Sequence, residues 1–362
     1  MLKQSMLKTV QHLFEGHKGI LAMDESNVTC NLRFSQLDIP QNEEHRRLWR
    51  ELIITTPGLN ESIGGVILFD ETVHQHQLDG TAFLDLLRKA GILFGIKVDQ
   101  GIQPLALHPL EKITHGLDDL RERLHRYVAL GAVFAKWRAT VTIGDELPTS
   151  AAISANAHSL ARYAALCQEL GLVPVVEPEV LMSGSHTIER CQSVTKAFLA
   201  AVFEQLNQQG VELETMILKP NMVLPGAACG DQSSDTEIAM KTLDCLLHTV
   251  PAAVPAIAFL SGGQFSNQAS SRLNAINLLA QQERGSEREK EIPWTLAFSF
   301  SRAIQSSAMT LWRGFPGQVS IAQNAILQHV QNNQLARRGL YIEPSPASID
   351  SMATPTSTAT FV

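Results

Sequence analysis

The chain has 362 residues, 44% hydrophobic and 18% charged, and 29 Lys and Arg against 36 Asp and Glu leave a formal charge of −7. One large domain or two ordinary ones fit that length, and the apolar content supports a sizeable core. The negative balance argues against a nucleic-acid or anionic-membrane surface, and no apolar run reaches the ~20 residues of a membrane span.

Taken in chain order, Met6, Leu7, Val10, Leu13 and Phe14 recur at helical spacing and predict an amphipathic first helix. The same stretch lacks the apolar run of a signal peptide and the arginines of a transit peptide. Short apolar runs follow at Gly19–Asp24, Gly65–Asp70, Leu93–Asp99, Phe134–Arg138, Val173–Pro178, Thr215–Lys219, Ala256–Gly263 and Thr295–Ser301. Helical stretches lie between them, among them Ser159–Leu170, Thr187–Gln209 and Ile238–His248. Eight continuous apolar strands alternating with helices predict an α/β fold, a closed (β/α)8 TIM barrel over residues 1–343. The remainder, 344–362, is rich in Ser, Thr, Ala and Pro and is expected to be a mobile tail. Cys30, Cys167, Cys191, Cys229 and Cys245 are dispersed, with no CxxC pair, which fits reduced thiols in a cytoplasmic protein.

Each run is apolar until its last residues, where Asp24, Lys97, Lys136 with Arg138, Glu177, Lys219, Ser261 and Ser299 appear, and Arg302 follows just beyond. In such a barrel the C-terminal strand ends and their loops form the active site. A buried lysine costs several kcal/mol unless partners compensate, so this set reads as a polar mouth. Two ammonium groups brought close depress each other's pKa, and a neutral amine attacks a ketone where an ammonium cannot. Strand position alone does not choose among Lys97, Lys136 and Lys219. Glu177, followed by Glu179, suits proton transfer during carbinolamine dehydration. Asp24 is either a helix N-cap or a base for a substrate hydroxyl. Ser261, Gly262 and Gly263 after the seventh strand, with Ser301 and Arg302 after the eighth, suit a phosphate dianion. His74 and His76 form an HxH pair with no third ligand at diagnostic spacing, so no metal is expected.

With these residues in view, the chain resembles class I fructose-bisphosphate aldolases of the plant-plastid and bacterial branch, from about Leu7 to Tyr341. The resemblance is carried by ILAMDESN (20–27), IGGVILFDET (63–72), GIKVDQG (95–101), FAKWR (134–138), VPVVEPEVL (173–181), ILKPNMVLPG (217–226) and FLSGGQ (259–264). It implies Lys219 as the Schiff-base lysine, Glu177 as its proton donor and Asp24 at the cleaved carbon chain, with Lys136 and Lys97 as electrostatic partners. Ser261, Gly262 and Arg302 would hold a 1-phosphate, and the side carrying Ser26, Thr29 and Arg33 would serve a 6-phosphate. It further implies reversible cleavage of fructose 1,6-bisphosphate to dihydroxyacetone phosphate and glyceraldehyde 3-phosphate by a homotetramer without a metal or other cofactor.

The sequence departs from the family pattern in places. Leu32 stands where a lysine is usual, Gln100 replaces another lysine, and Phe265 replaces a serine. Ser301 replaces the usual glycine or alanine, and the chain ends Phe361-Val362 where many members end in tyrosine. Leu32 and Gln100 motivate an alternative specificity, for sedoheptulose 1,7-bisphosphate or fructose 1-phosphate. A catalytically weakened scaffold is the remoter alternative.

Overall fold

The computed structural model describes residues 2–230, 233–283 and 292–343, so the tail expected at 344–362 lies outside the described residues. Its strands are β1 (Gly19–Met23), β2 (Ile63–Leu68), β3 (Leu93–Lys97), β4 (Ile102–Leu105), β5 (His108–Thr114), β6 (Phe134–Val141), β7 (Val173–Val180), β8 (Ile217–Leu218), β9 (Ala256–Phe259) and β10 (Thr295–Phe300). All but β4 and β5 pair in parallel and close into a barrel in the order β1-β10-β9-β8-β7-β6-β3-β2. Every apolar run predicted as a barrel strand is one.

Two details differ from expectation. The strands β4 and β5 form an antiparallel hairpin between β3 and β6. Its residues are mostly exposed and include Pro104 and Pro109, so it offers neither the apolar run nor the clean alternation that marks a strand. The predicted strand at Thr215–Lys219 shortens to Ile217–Leu218, because a 3-10 turn occupies Leu213–Thr215. The expected helices correspond to Leu2–Phe14, Ser150–Glu169, Ile188–Gln208 and Asp235–Thr249; Leu170, Thr187 and Gln209 are caps just outside them, and the Thr187 side chain accepts from Arg190 N.

A two-residue period organises the barrel interior. Ile20 and Ala22 of β1, Phe134 of β6, Val173 and Val175 of β7, Ile217 of β8, Ala256 and Ala258 of β9 and Ala297 of β10 form one buried cluster. Met6, Val10, Leu13 and Phe14 of the first helix join it and close the N-terminal end of the barrel. The residues of opposite parity face the outer helices in a separate, larger cluster. At the closed end Arg337 donates to the carbonyls of Phe14, Lys18 and Leu296, tying the last helix to the first helix and to β10.

The floor helix sits so close that β2 has no room for a side chain at Gly64. A Cβ there would lie 2.3 Å from Leu13 O and 2.8 Å from its Cα, both backbone atoms that cannot swing aside. We therefore expect Gly64→Ala to lift the first helix and destabilise the fold by about 1–3 kcal/mol. Urea unfolding followed by circular dichroism would check this; an unchanged midpoint would contradict the packing described.

Candidate active site

The parity that puts apolar side chains inside the lower barrel carries charged ones inward above them. Asp24 follows Ile20 and Ala22, Lys136 follows Phe134, Glu177 follows Val175, and Lys219 follows Ile217, each two residues on. The parallel register Val175↔Ile217 brings Glu177 level with Lys219. Strands β6 and β7 stay paired as far as Val141↔Val180, so Arg138, Glu177 and Glu179 lie within strands rather than at their ends.

Four of these groups make a continuous ion-pair chain. Lys136 Nζ donates to Asp24 Oδ2 at 2.8 Å. It also lies 3.0 Å from Glu177 Oε2, at an angle that makes an ion pair but no hydrogen bond. The other oxygen, Glu177 Oε1, is 3.2 Å from Lys219 Nζ. Asp24, Lys136, Glu177 and Lys219 are only 7%, 4%, 3% and 3% exposed. Each isolated charge would cost several kcal/mol to bury, so the chain holds only as an alternating set.

The electrostatics give two members fixed roles. Burial opposes ionisation of Asp24, but the cations of Lys136, Lys219 and Lys97 outweigh it and hold the carboxyl far below the usual range. Burial likewise opposes the Lys136 ammonium, yet Asp24, Glu177 and Asp99 raise it well above an ordinary lysine. The expectation that two lysines lower each other's pKa therefore fails for Lys136, because two carboxylates touch it directly. Lys136 is a fixed cation.

These residues line one open cavity of about 1330 Å³, bordered also by Ser26, Thr29, Arg33, Lys97, Arg138, Glu179, Ser261, Gly262, Ser299, Ser301 and Arg302. At one end, the turn after β9 places Gly262 and Gly263 at φ +58° and +94°, values that only glycine adopts without strain. Gly263 does not line the cavity; it sits behind, where a Cβ would meet Met182 Sδ at 3.5 Å and Arg302 Nη2 at 3.7 Å. Ser299 is 1% exposed and its hydroxyl has no hydrogen-bond partner among the described residues. Ser301 precedes the helix Arg302–Trp312.

The opposite wall is more tightly paired. Arg33 reaches Glu25 at 2.6 Å and Ser306 Oγ at 3.3 Å, while Arg138 pairs with Glu179 at 2.6 Å. Burial opposes the Arg138 cation, but Glu179, Glu177 and Asp99 hold it charged. Lys97 lies 2.7 Å from Asp99 Oδ1 and donates to its carbonyl at 2.8 Å. Ser26, not Asp24, caps the helix Asn27–Ser35 by accepting from Thr29 N, and the Ser26 and Thr29 hydroxyls are 3.1 Å apart. The capping alternative for Asp24 is thereby removed.

Several contributors escaped the sequence reading. Asp99 closes the third apolar run, yet Lys97 drew attention as the charged residue there. Ile102 and His115 reach the cavity through the unforeseen hairpin, with Arg123, Arg126 and Tyr127 from the helix after it. Nothing in their local spacing marks them; only the tertiary path of the hairpin does. No disulfide joins the cysteines; all five are free, and all but Cys229 are buried. No group of three or more potential metal ligands is clustered among the described residues, HxH pair included. Nor, among them, is any helix long and apolar enough to cross a membrane.

The sequence model of the class I fructose-bisphosphate aldolases, a glycolytic family, matches residues 5–359. The chain belongs to that family. It is 48% identical over 337 residues to a probable class 1 fructose-bisphosphate aldolase of Xanthomonas axonopodis pv. citri, covering 93% of this chain and 98% of that protein. It is 44% identical over 341 residues to fructose-bisphosphate aldolase B of Bos taurus, covering 94% and 91%. A cytosolic aldolase of Arabidopsis thaliana is 47% identical over 324 residues, covering 90% and 80%. Among solved structures, the Plasmodium falciparum fructose-bisphosphate aldolase superposes with a TM-score of 0.89 at 41% identity, covering 94% of this chain and 96% of that one. The chain is accordingly a class I fructose-bisphosphate aldolase, and neither the shifted-specificity nor the scaffold alternative gains support.

In this aldolase, replacing Lys136 leaves two carboxylates buried against each other. We expect Lys136→Met to cost about 3–5 kcal/mol of stability near neutral pH. The pH dependence gives the sign. In the parent, the folded Asp24 value lies below the unfolded one, so its contribution is present above the unfolded value and lost as pH falls through the folded value. Without the touching ammonium, burial is opposed only by the more distant cations, so the folded Asp24 value rises and the penalty shrinks as pH falls from neutrality toward the ordinary carboxylate range. Denaturant midpoints of both proteins across that range would check it; a constant gap would contradict it.

Proposed function

We propose that Lys219 is the Schiff-base lysine of this aldolase and that Glu177, Asp24 and Lys136 carry its proton and charge traffic. The observation that carries the reading is Glu177, one oxygen on Lys219 and the other beside Lys136, buried and aligned for a single substrate. The substrate is fructose 1,6-bisphosphate, with its C1 phosphate toward Ser261, Gly262, Ser299, Ser301 and Arg302, and Gly263 behind them shaping the turn. The opposite wall, with Ser26, Thr29, Arg33, Arg138, Glu179 and Lys97, receives the C6 end.

Lys219 passes its ammonium proton to Glu177, 3.2 Å away, and the neutral amine attacks the C2 ketone. Glu177 protonates the carbinolamine oxygen, which leaves as water, and a protonated iminium remains. Asp24 takes the C4 hydroxyl proton as the C3–C4 bond breaks, releasing glyceraldehyde 3-phosphate; the bonding pair flows into the iminium and leaves a neutral enamine. Protonation of the enamine at C3 and hydrolysis of the resulting iminium release dihydroxyacetone phosphate.

The depressed pKa of Asp24 makes it a weak base in the free enzyme, and the same geometry supplies the remedy. The Lys219 cation is one of the charges that depress it. As the iminium becomes a neutral enamine that charge disappears, so Asp24 grows more basic at the moment it accepts the proton. Lys136 keeps its charge throughout and holds Asp24 in place.

Around this chemistry we assign residues 1–343 to one catalytic domain, in a homotetramer in the cytoplasm. The negative charge, the unpaired thiols and the likeness to a cytosolic plant aldolase support the location.

Lys219→Met should lower kcat for fructose 1,6-bisphosphate cleavage by a factor on the order of 10⁴ or more. Glu177→Gln should lower it by about 10²–10⁴, with parent activity unchanged by EDTA. A coupled assay for glyceraldehyde 3-phosphate measures all three. Substantial turnover by Lys219→Met would overturn the assignment.

A further inference from the structure

The helix Arg302–Trp312 begins behind a serine that does not cap it. Ser301 has φ −114° and ψ −88°, and no backbone N–H donates to its hydroxyl. Its Oγ instead accepts from Gln305 Nε2 at 3.3 Å. The same nitrogen donates to Ala22 O at 2.7 Å, two residues before Asp24 on β1.

Gln305 is 0% exposed, and its Oε1 has no hydrogen-bond partner among the described residues. Both amide protons are therefore in use, and turning the amide round would set Oε1 against the Ala22 carbonyl. That fixes which end of the carboxamide meets Ser301. Because Oγ accepts from Gln305, its own proton is left to donate, and it has no acceptor among the described residues. Ser301 borders the cavity beside Arg302, Ser261 and Gly262. The orphan Ser299 hydroxyl lies on the same wall.

We propose that Gln305 is a positioning residue that turns the Ser301 hydroxyl into an additional donor to the phosphate of the bound ketose. Glycine or alanine at this position could not make the contact. The proposal rests on the reading that this end of the cavity takes the C1 phosphate. It also links the phosphate wall to β1, which leads into Asp24, through one buried side chain.

The test is borohydride trapping of the full chain, titrated with dihydroxyacetone phosphate and, separately, with unphosphorylated dihydroxyacetone. Ser301→Ala should raise the half-saturating concentration of the phosphorylated ketone about tenfold and leave that of dihydroxyacetone unchanged. Inorganic phosphate should compete correspondingly less well with Ser301→Ala than with the parent. Gln305→Met should produce a similar rise in the parent and little further rise in the Ser301→Ala background. A Ser301→Ala protein with parental half-saturation and phosphate competition would overturn the proposal. So would a Gln305→Met effect of equal size in both backgrounds, which would mean a purely structural role. A parent protein trapped by neither ketone would overturn the Lys219 reading, and this one with it; normal trapping with unchanged half-saturation overturns only this one.

Discussion

Everything in the upper barrel depends on one carboxylate, Glu177, lying between two lysines. One of its oxygens is 3.2 Å from Lys219 and the other 3.0 Å from Lys136, which in turn holds Asp24 at 2.8 Å. An alternating chain of four buried charges has no stable half-measure, since removing one member leaves a neighbour uncompensated in a dry interior. The same arrangement that makes the charges tolerable also separates their roles. Lys136 is pinned as a cation by two carboxylates, which supports the proposal that Lys219, touched by Glu177, is the amine that forms the covalent bond.

The barrel is what brings these side chains together. Strand parity sorts residues two apart onto one face, so apolar packing in the lower layers and charge in the upper layer are consequences of one register. The first helix seals the lower end, and the open end is left to loops whose polar groups face each other across the cavity. Its two walls differ. The turn after β9 and the helix after β10 present glycine backbone, hydroxyls and Arg302, whereas Arg33, Arg138 and Lys97 on the other wall already have carboxylate partners. A phosphate arriving at the second wall must compete with those carboxylates, and with leucine at position 32 no further lysine is available there.

Much of this was legible in the chain. Eight apolar runs predicted eight barrel strands, and the positions 20, 22, 24 and 134, 136, 138 already carry the inward parity. Family motifs then singled out Lys219 among three lysines that strand position left equivalent. What was not legible has physical reasons. The hairpin Ile102–Thr114 is exposed and carries prolines, so no burial pattern announces it, and His115 follows its last strand. The high pKa of Lys136 depends on which oxygens it touches, a matter of ångströms rather than of spacing. Gln305 reads as an ordinary helical glutamine until the carbonyl of Ala22, far away in sequence, is found at 2.7 Å.

We propose that a single lysine of the three carries the substrate covalently. Reduction of the protein by borohydride in the presence of dihydroxyacetone phosphate, followed by proteolysis and tandem mass spectrometry, tests it most directly. The account predicts one reduced adduct per chain, on the peptide containing Lys219, with Lys97 and Lys136 unmodified. An adduct on Lys136 or Lys97, or an unmodified chain at saturating ketone, would contradict it.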